Sequence, residues 1–547
     1  YEAADRLTLR NYPDANDDLF TYDALDRMTS AVNQNATVTF TYDALNRMLS
    51  ETLNDKTTGY NYNIATGKRT LIYPSGRVIE ENYDLRSQLA AIKESGETLA
   101  AFDYDPAGRM TTRSYGNGTV TTYAYDDNNR TTGIVANPGE FIHFTYAYDN
   151  VGNKRYEEKK HHPTHSEAYG YDANYRLTEF KVGELVGDSV PAPLTQTVYN
   201  YDGLGNRTTV TSDNSSEIYS SNSLNQYTQV NSNLLAYDAN GNLTANGDIV
   251  LNYNSKNQLL NVNNPTSGTS TIMKYDALGR RIQKTVGGNI VDFFYDEFRE
   301  IENSNPITGA ISNYIYQGKD DKQLVLQNDA NSYFSFFNDL NSVVALVNDT
   351  GLVNERYEYQ AFGIPIIFDQ SFDSLSSSQI PNDWFFTGRK YDEEFGQYYY
   401  RYRDFNPHSG RFLQFDPLMF IDGLNLYVYG KNNPINLTDA FGTKSTSCCN
   451  SLGRRAKCTA QTMLCMALVI GNACRDECTP PVSDPGGCAE CFGQQNEVAE
   501  EWCKLAIDCW RNFGKDCTSG DSGFEPDSKP STPQEPLPPR GLPGKFY

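Results

Sequence analysis

The first 447 residues of this 547-residue chain contain no cysteine, so nothing in that stretch is stapled by disulfides or ligated by thiolates. Histidine is almost as scarce: there are 5, and none follows His408. The C-terminal part therefore offers no Cys–His dyad, no histidine-dependent nuclease centre and no histidine general base. No apolar run reaches 18 residues, so no segment has the length of a membrane-spanning helix. Positive charge is also short. Lys and Arg number 46 against 69 Asp and Glu, and the net charge of −23 argues against nucleic acid as a partner of the main body. Aromatic residues, in contrast, are abundant, with 39 Tyr and 27 Phe, and large rings favour pleated strands.

Those tyrosines are periodic. Tyr22-Asp23, Tyr42-Asp43, Tyr83-Asp84, Tyr104-Asp105, Tyr125-Asp126, Tyr148-Asp149 and Tyr171-Asp172 recur every 20 to 23 residues once Tyr62-Asn63 fills one gap. The beat loosens and resumes through Tyr201-Asp202, Tyr237-Asp238, Tyr253-Asn254, Tyr275-Asp276 and Tyr295-Asp296. A fixed period of this size means one supersecondary unit stacked many times. In Tyr104-Asp105-Pro106-Ala107-Gly108-Arg109-Met110 the Tyr ends a strand, and the Asp accepts hydrogen bonds from the turn backbone. Gly then supplies a positive φ, and Arg with an apolar residue opens the next strand. The dozen Asp residues thus read as turn formers. Calcium-binding rolls use shorter, glycine-dense repeats that are absent here. Tyr1 to Leu7 reads like Tyr22 to Met28, with neither an initiator Met nor a signal peptide, and we expect the chain to be the C-terminal part of a longer array.

His161-His162-Pro163-Thr164-His165 is the one histidine cluster, and with no further ligand at metal spacing nearby it reads as a solvated loop. No metal site and no cofactor are expected.

All 11 cysteines (Cys448, Cys449, Cys458, Cys465, Cys474, Cys478, Cys488, Cys491, Cys503, Cys509 and Cys517) fall in the last hundred residues. Apolar positions three and four apart predict helices over 454–478 and 488–517. A disulfide-stapled helical hairpin is the favoured reading, because so small a domain lacks core. A zinc site on Cys488 and Cys491 lacks a second CxxC, and a zinc deaminase would need an upstream His/Cys-x-Glu and a Pro before Cys488. Residues 519–547, rich in Pro, Ser and Gly, are expected to be disordered.

Between Phe386 and Gly442 the chain resembles the RHS/YD-repeat proteins. The resemblance rests on Phe386 to Tyr400, Asn406 to Pro417, Gly423 to Tyr429 and Asn432 to Gly442, with Asn338 to Val347 and Tyr357 to Gly363 as further landmarks, and on the repeats themselves. It implies a mainly β fold, a spiral of YD hairpins forming a hollow shell closed by a core segment, with a variable C-terminal domain held inside, commonly a toxin. The expected division is 1–318 for the array, 319–443 for the core, 444–518 for the Cys-rich helical domain and 519–547 for the tail. In several members the core cuts the chain just after itself with two aspartates. By motif these are Asp416 (Phe415-Asp416-Pro417) and Asp439 (Thr438-Asp439-Ala440), with Arg411 as a supporting cation and the cut between Thr443 and Lys444. The family reads Asp-Pro-x-Gly-Leu at that point. Here Ala440 and Thr443 replace the Pro and the Leu.

Two carboxylates sharing one proton can activate water and protonate a leaving amide, and an Arg beside them holds one ionised. Asp416 and Asp439 could equally form turns. Two functions are therefore weighed. One is a secreted or surface shell, of bacterial type, that carries its own C-terminal domain as cargo towards a target-cell protein, membrane or surface glycan. The other is a non-catalytic scaffold for adhesion or carbohydrate contact with a disulfide-bonded cap.

Overall fold

The computed structural model describes residues 6–318, 321–328 and 331–447. The cysteines, the two expected helices and the Pro-rich tail lie outside the described residues. Among the described residues the regular structure is all β apart from five 3-10 turns.

From Leu9–Arg10 to Ser374–Leu375 the chain forms a 36-stranded antiparallel meander in which every strand pairs with its neighbour in sequence. The repeat explains the regularity. In the turn at Asp105 the carboxylate accepts the Arg109 amide at 2.9 Å through Oδ1, and Oδ2 takes Arg109 Nε at 2.6 Å. Gly108 has φ +84°, and the ladder slips by one residue between Asp103 and Tyr104. This is the turn plus one-residue bulge that a left-handed residue permits. Asp23, Asp43, Asp126, Asp172 and Asp276 make the same pairing with Arg27, Arg47, Arg130, Arg176 and Arg280.

Each unit also locks the next. Arg109 lies 5.0 Å from the Tyr125 ring centre, and the Tyr125 hydroxyl donates to Met110 O at 2.8 Å. Arg130 and Tyr148, Arg176 and Tyr201, and Arg280 and Tyr295 repeat the stacking. The Tyr-Asp pair is thus one half of an interlocking joint, with the Arg four residues after the Asp as the other. Tyr275→Phe removes a buried hydroxyl that donates to Leu259 O at 2.8 Å. We expect it to cost about 1 kcal/mol in urea unfolding with an unchanged denaturant slope; an unshifted midpoint would show that the joint contributes nothing.

The meander coils back on itself. Asn33 Nδ2 donates to Tyr275 O, Tyr73 OH to Tyr314 O and Asn117 Nδ2 to Asn348 O, across 242, 241 and 231 residues. One winding therefore takes roughly 240 residues, and buried ion pairs line the seam between windings. Arg69 reaches Asp296 at 2.8 Å, Lys256 reaches Asp18 at 2.6 Å and Arg280 reaches Glu51 at 2.5 Å. Asp296 is the Asp of a Tyr-Asp pair, recruited here to bind the previous winding. Burial would raise its pKa, but Arg299 and Arg69 outweigh that and hold it well below the usual carboxylate range.

Strands change character along the chain. Thr37–Tyr42 alternates buried and exposed positions, whereas Gln323–Asn328, Ser332–Phe337 and Val343–Asn348 are buried almost throughout. The later strands are covered on both faces, which is why they read as continuous apolar runs. Tyr115 packs on Phe334 and Phe336 from the earlier winding, and Phe385 packs on Tyr357 from the segment that follows.

That following segment makes its own four-stranded sheet, Lys390–Asp392, Gln397–Tyr399, Asp404–Asn406 and Arg411–Phe412. Tyr398, Tyr400, Phe405, Phe412 and Tyr429 form an aromatic knot at its centre, each at most 2% exposed, with Phe405 and Tyr429 4.5 Å apart. The knot is the platform on which the candidate site is built.

Candidate functional site

Arg403 sits between Tyr400 and Phe405, its guanidinium 3.6 Å over the Phe412 ring. Leaving the donors of an Arg at this depth unpaired is costly. Its Nη2 reaches Asp416 Oδ2 at 2.9 Å and Asp439 Oδ2 at 3.2 Å, Nη1 reaches Leu426 O at 2.9 Å, and Nε donates to Gly442 O. Asp416 and Asp439 therefore converge on one cation, and all three residues are at most 3% exposed.

Each carboxylate is further fixed by backbone. Asp416 Oδ1 accepts the Leu418 amide at 2.8 Å. Asp439 Oδ1 accepts the Thr443 amide at 2.8 Å and the Lys444 amide at 3.1 Å. The nitrogen of the Thr443–Lys444 peptide bond is thus held directly against a buried carboxyl. On its far side Asp422 holds the Ser445 amide at 2.9 Å and the Ser445 hydroxyl at 2.5 Å. The residues after it pair as a two-residue strand, Thr446–Ser447 against Leu437–Thr438. Arg401 donates to Ala440 O at 3.2 Å and lies 4.3 Å from the Phe441 ring centre, so the turn before the bond is clamped as well. Gly442 has φ +70°, and a Cβ there would meet Tyr400 O at 3.1 Å and Arg403 Cβ at 3.2 Å, so only glycine fits this turn. Beside Asp416 lies a small cleft, with room for water of about 20 Å³, lined also by Asp422, Asn425, Leu426 and Lys431.

The electrostatics raise both carboxyls. Burial pushes Asp416 up to about 7, Arg403 opposes the rise, and Asp439 and Asp422 add to it. Burial also pushes Asp439 up, against Arg403 and the two amides it accepts. Two buried carboxyls with raised pKa values on one guanidinium are groups that can take up and release protons nearer neutral pH than free carboxyls do.

Of the residues singled out in the sequence, the structure brings Asp416, Asp439, Thr443 and Lys444 together. Arg411 stands elsewhere. It donates to Asn225 O at 2.6 Å and to Asn206 Oδ1, and lies 3.6 Å over the Tyr227 ring, fixing the core to a YD turn. Its place beside the carboxylates is taken by Arg403. The sign of Arg403 in the sequence is an Arg-x-Arg step (Arg401, Arg403) inside an aromatic run, where a buried cation gains from a nearby anion. Cys448 to Cys517 lie outside the described residues.

The histidine cluster also differs from the expected solvated loop. Pro163–His165 is a 3-10 turn, and the side chains of His162 and His165 are only 16% and 26% exposed, because Glu358, 196 residues on from His162, accepts a hydrogen bond from each.

Comparison with known proteins agrees with this architecture. The chain matches the teneurin YD-shell family over residues 148–435 and the RHS repeat over 22–58 and 104–139. It is 31% identical over 377 residues to the tRNA3(Ser)-specific nuclease WapA of Bacillus spizizenii, covering 66% of this chain and 15% of that protein. It is 25% identical over 464 residues to toxin subunit YenC1 of Yersinia entomophaga, covering 70% of this chain and 47% of the other. Among solved structures, that of TcdB2-TccC3 aligns with a TM-score of 0.60 and 18% identity over 78% of this chain and 27% of its own. The chain therefore spans from about a seventh to about half of the length of these curated relatives.

Proposed function

The chain belongs to the RHS/YD-repeat family, and from that premise we propose that it is a toxin-type shell whose aspartyl core severs the chain between Thr443 and Lys444. The cut frees the C-terminal segment, 444–547, as cargo. The observation that carries this reading is the double hold of Asp439: one carboxyl shares Arg403 with Asp416 and also holds the amides on both residues of the bond.

The roles follow from position. Asp416, beside the cleft, takes a proton from water, which adds to the Thr443 carbonyl carbon. Asp439, at the Lys444 nitrogen, supplies the proton with which the amine leaves when the C–N bond breaks. The products are a Thr443 carboxylate and a Lys444 amine. Relatives named as a nuclease and as a toxin subunit, both from bacteria, support the toxin-type reading.

The full chain made in a cell-free system should yield a fragment whose N-terminal residue is Lys444, read by intact mass and Edman sequencing. Because Asp416 must be ionised to accept a proton from water, and burial holds its pKa up at about 7, the fragment should form slowly at pH 5 and faster as pH rises towards 7. A chain that stays uncut from pH 5 to 8, while folded by circular dichroism, would rule the proposal out.

A further inference from the structure

We propose that His162, His165 and Glu358 form a binding site for a divalent transition-metal cation of the zinc class, tying two windings of the shell together. The inference is independent of the cleavage reading.

Local backbone geometry builds the site. Pro163 opens the 3-10 turn Pro163–His165, and three residues per turn place positions i and i+3 directly above one another. His162 and His165 therefore stack, with ring centres 3.8 Å apart and planes at 22°. Both rings present Nδ1 to one carboxylate on the strand Val353–Tyr359: His162 Nδ1 is 2.8 Å from Glu358 Oε1, and His165 Nδ1 is 2.7 Å from Oε2. A donor atom from each of the three residues lies within 4.8 Å of the other two.

The surroundings suit a cation. Phe372 stacks on His162 at 3.9 Å, and Phe368 meets both rings edge-on at 6.0 Å, so a dry aromatic wall backs the donors. The partial exposure of His162 and His165 leaves an open side for water as a fourth ligand. Burial acts to raise the Glu358 pKa, but Lys159 and the hydrogen bonds from the two histidines prevail and hold it well below the usual range. Lys159 is 3.8 Å from Glu358 Oε2, yet its close partner is Glu167 at 2.6 Å. His161 stays out of the donor set, because its Nδ1 is engaged with the backbone of His143.

Two imidazoles and one carboxylate are the donors of a three-ligand zinc site, and imidazole discriminates against magnesium and calcium. Tetrahedral bonds of about 2.0–2.1 Å set donors roughly 3.3 Å apart. The present Nδ1–O contacts must open by about half an ångström and the stacked rings must splay. Rotation about the soft χ2 of histidine allows this. Each neutral ring then carries its proton on Nε2.

The cysteine-rich segment is a competing ligand, so the full chain is tested after alkylation of its thiols. We expect one equivalent of Zn(II) by equilibrium dialysis and a melting temperature several degrees higher with Zn(II) but not with Mg(II). Co(II) should give a tetrahedral visible spectrum without a thiolate charge-transfer band. His162→Gln/His165→Gln should lose the bound equivalent and the thermal shift. As a check that needs no variant, Zn(II) should shield His162 and His165 of the wild type from diethyl pyrocarbonate. The proposal is overturned by an alkylated chain that binds no zinc, by a folded double variant that binds it equally well, or by unchanged modification of the two histidines.

Discussion

Asp439→Asn leaves the chain in one piece. The substitution is close to isosteric, and the Asn Oδ1 can still accept the Thr443 and Lys444 amides that Asp439 holds at 2.8 and 3.1 Å. The turn should therefore keep its shape. What disappears is the proton delivered to the Lys444 nitrogen, and with it the small contribution that the Asp439 charge adds to the burial that raises Asp416. Asp416, still raised chiefly by burial, should then ionise at slightly lower pH beside Arg403. Loss of general acid–base catalysis at one position slows a reaction by on the order of 10²–10⁴-fold, enough to remove the Lys444 fragment from a gel over hours. Asp416→Asn should do the same by removing the base. The decisive comparison is Asp439→Asn against wild type, both folded to the same melting temperature within a few degrees. Equal rates of fragment formation would mean that the carboxyl at Lys444 only caps a turn.

Arg403→Leu should be the most destabilising single change in the core. It strips the shared cation from Asp416 and Asp439, the donor from Leu426 O and the donor from Gly442 O, all among buried groups. Removing one partner of a buried ionic cluster costs about 3–5 kcal/mol. The sign of its pH dependence is fixed. Without Arg403 both carboxyls, already raised by burial, rise further, while in the unfolded chain they titrate near about 4. A carboxyl whose folded pKa lies above its unfolded one favours folding at low pH, and that preference is lost as pH climbs towards the folded value. The variant should therefore lose more stability relative to wild type at pH 8 than at pH 5 in urea unfolding. A loss below about 1 kcal/mol, or one equal at both values, would contradict the assignment of Arg403 as counter-ion to the pair.

Much of this was written locally. The Tyr-Asp period announces hairpins, and the turn chemistry of Asp followed by Gly or Asn predicts the bulged turns that are found. The Arg four residues after each Asp was visible too, but its second contact, on the next tyrosine, depends on how repeats abut. The seam was hidden for a stronger reason. Asp296 looks like every other repeat Asp, and nothing near it in sequence says that it will meet Arg69. Glu358 was hidden from the histidines in the same way, 196 residues distant from His162. In the core, the motif located both aspartates and the bond beside them. It misassigned their cation, because Arg411 and Arg403 are alike in sequence and only the packing of Phe412 and Tyr227 beneath their guanidiniums separates their roles.

The roughly 240-residue winding sets a timetable. Pairing of neighbouring strands closes loops of a few residues and can begin as soon as two strands exist, whereas the bond from Asn33 to Tyr275 waits until 242 further residues have been made. At about 5–20 residues per second of synthesis, roughly 12–50 s separate the making of Asn33 from that of Tyr275, and through that interval the growing ribbon carries an unpaired edge. Only then do Arg69 and Lys256 meet their carboxylates across the seam. The charged side chains that look like fasteners in the finished protein are, for that interval, the solvated groups that keep a half-made ribbon from sticking to its neighbours.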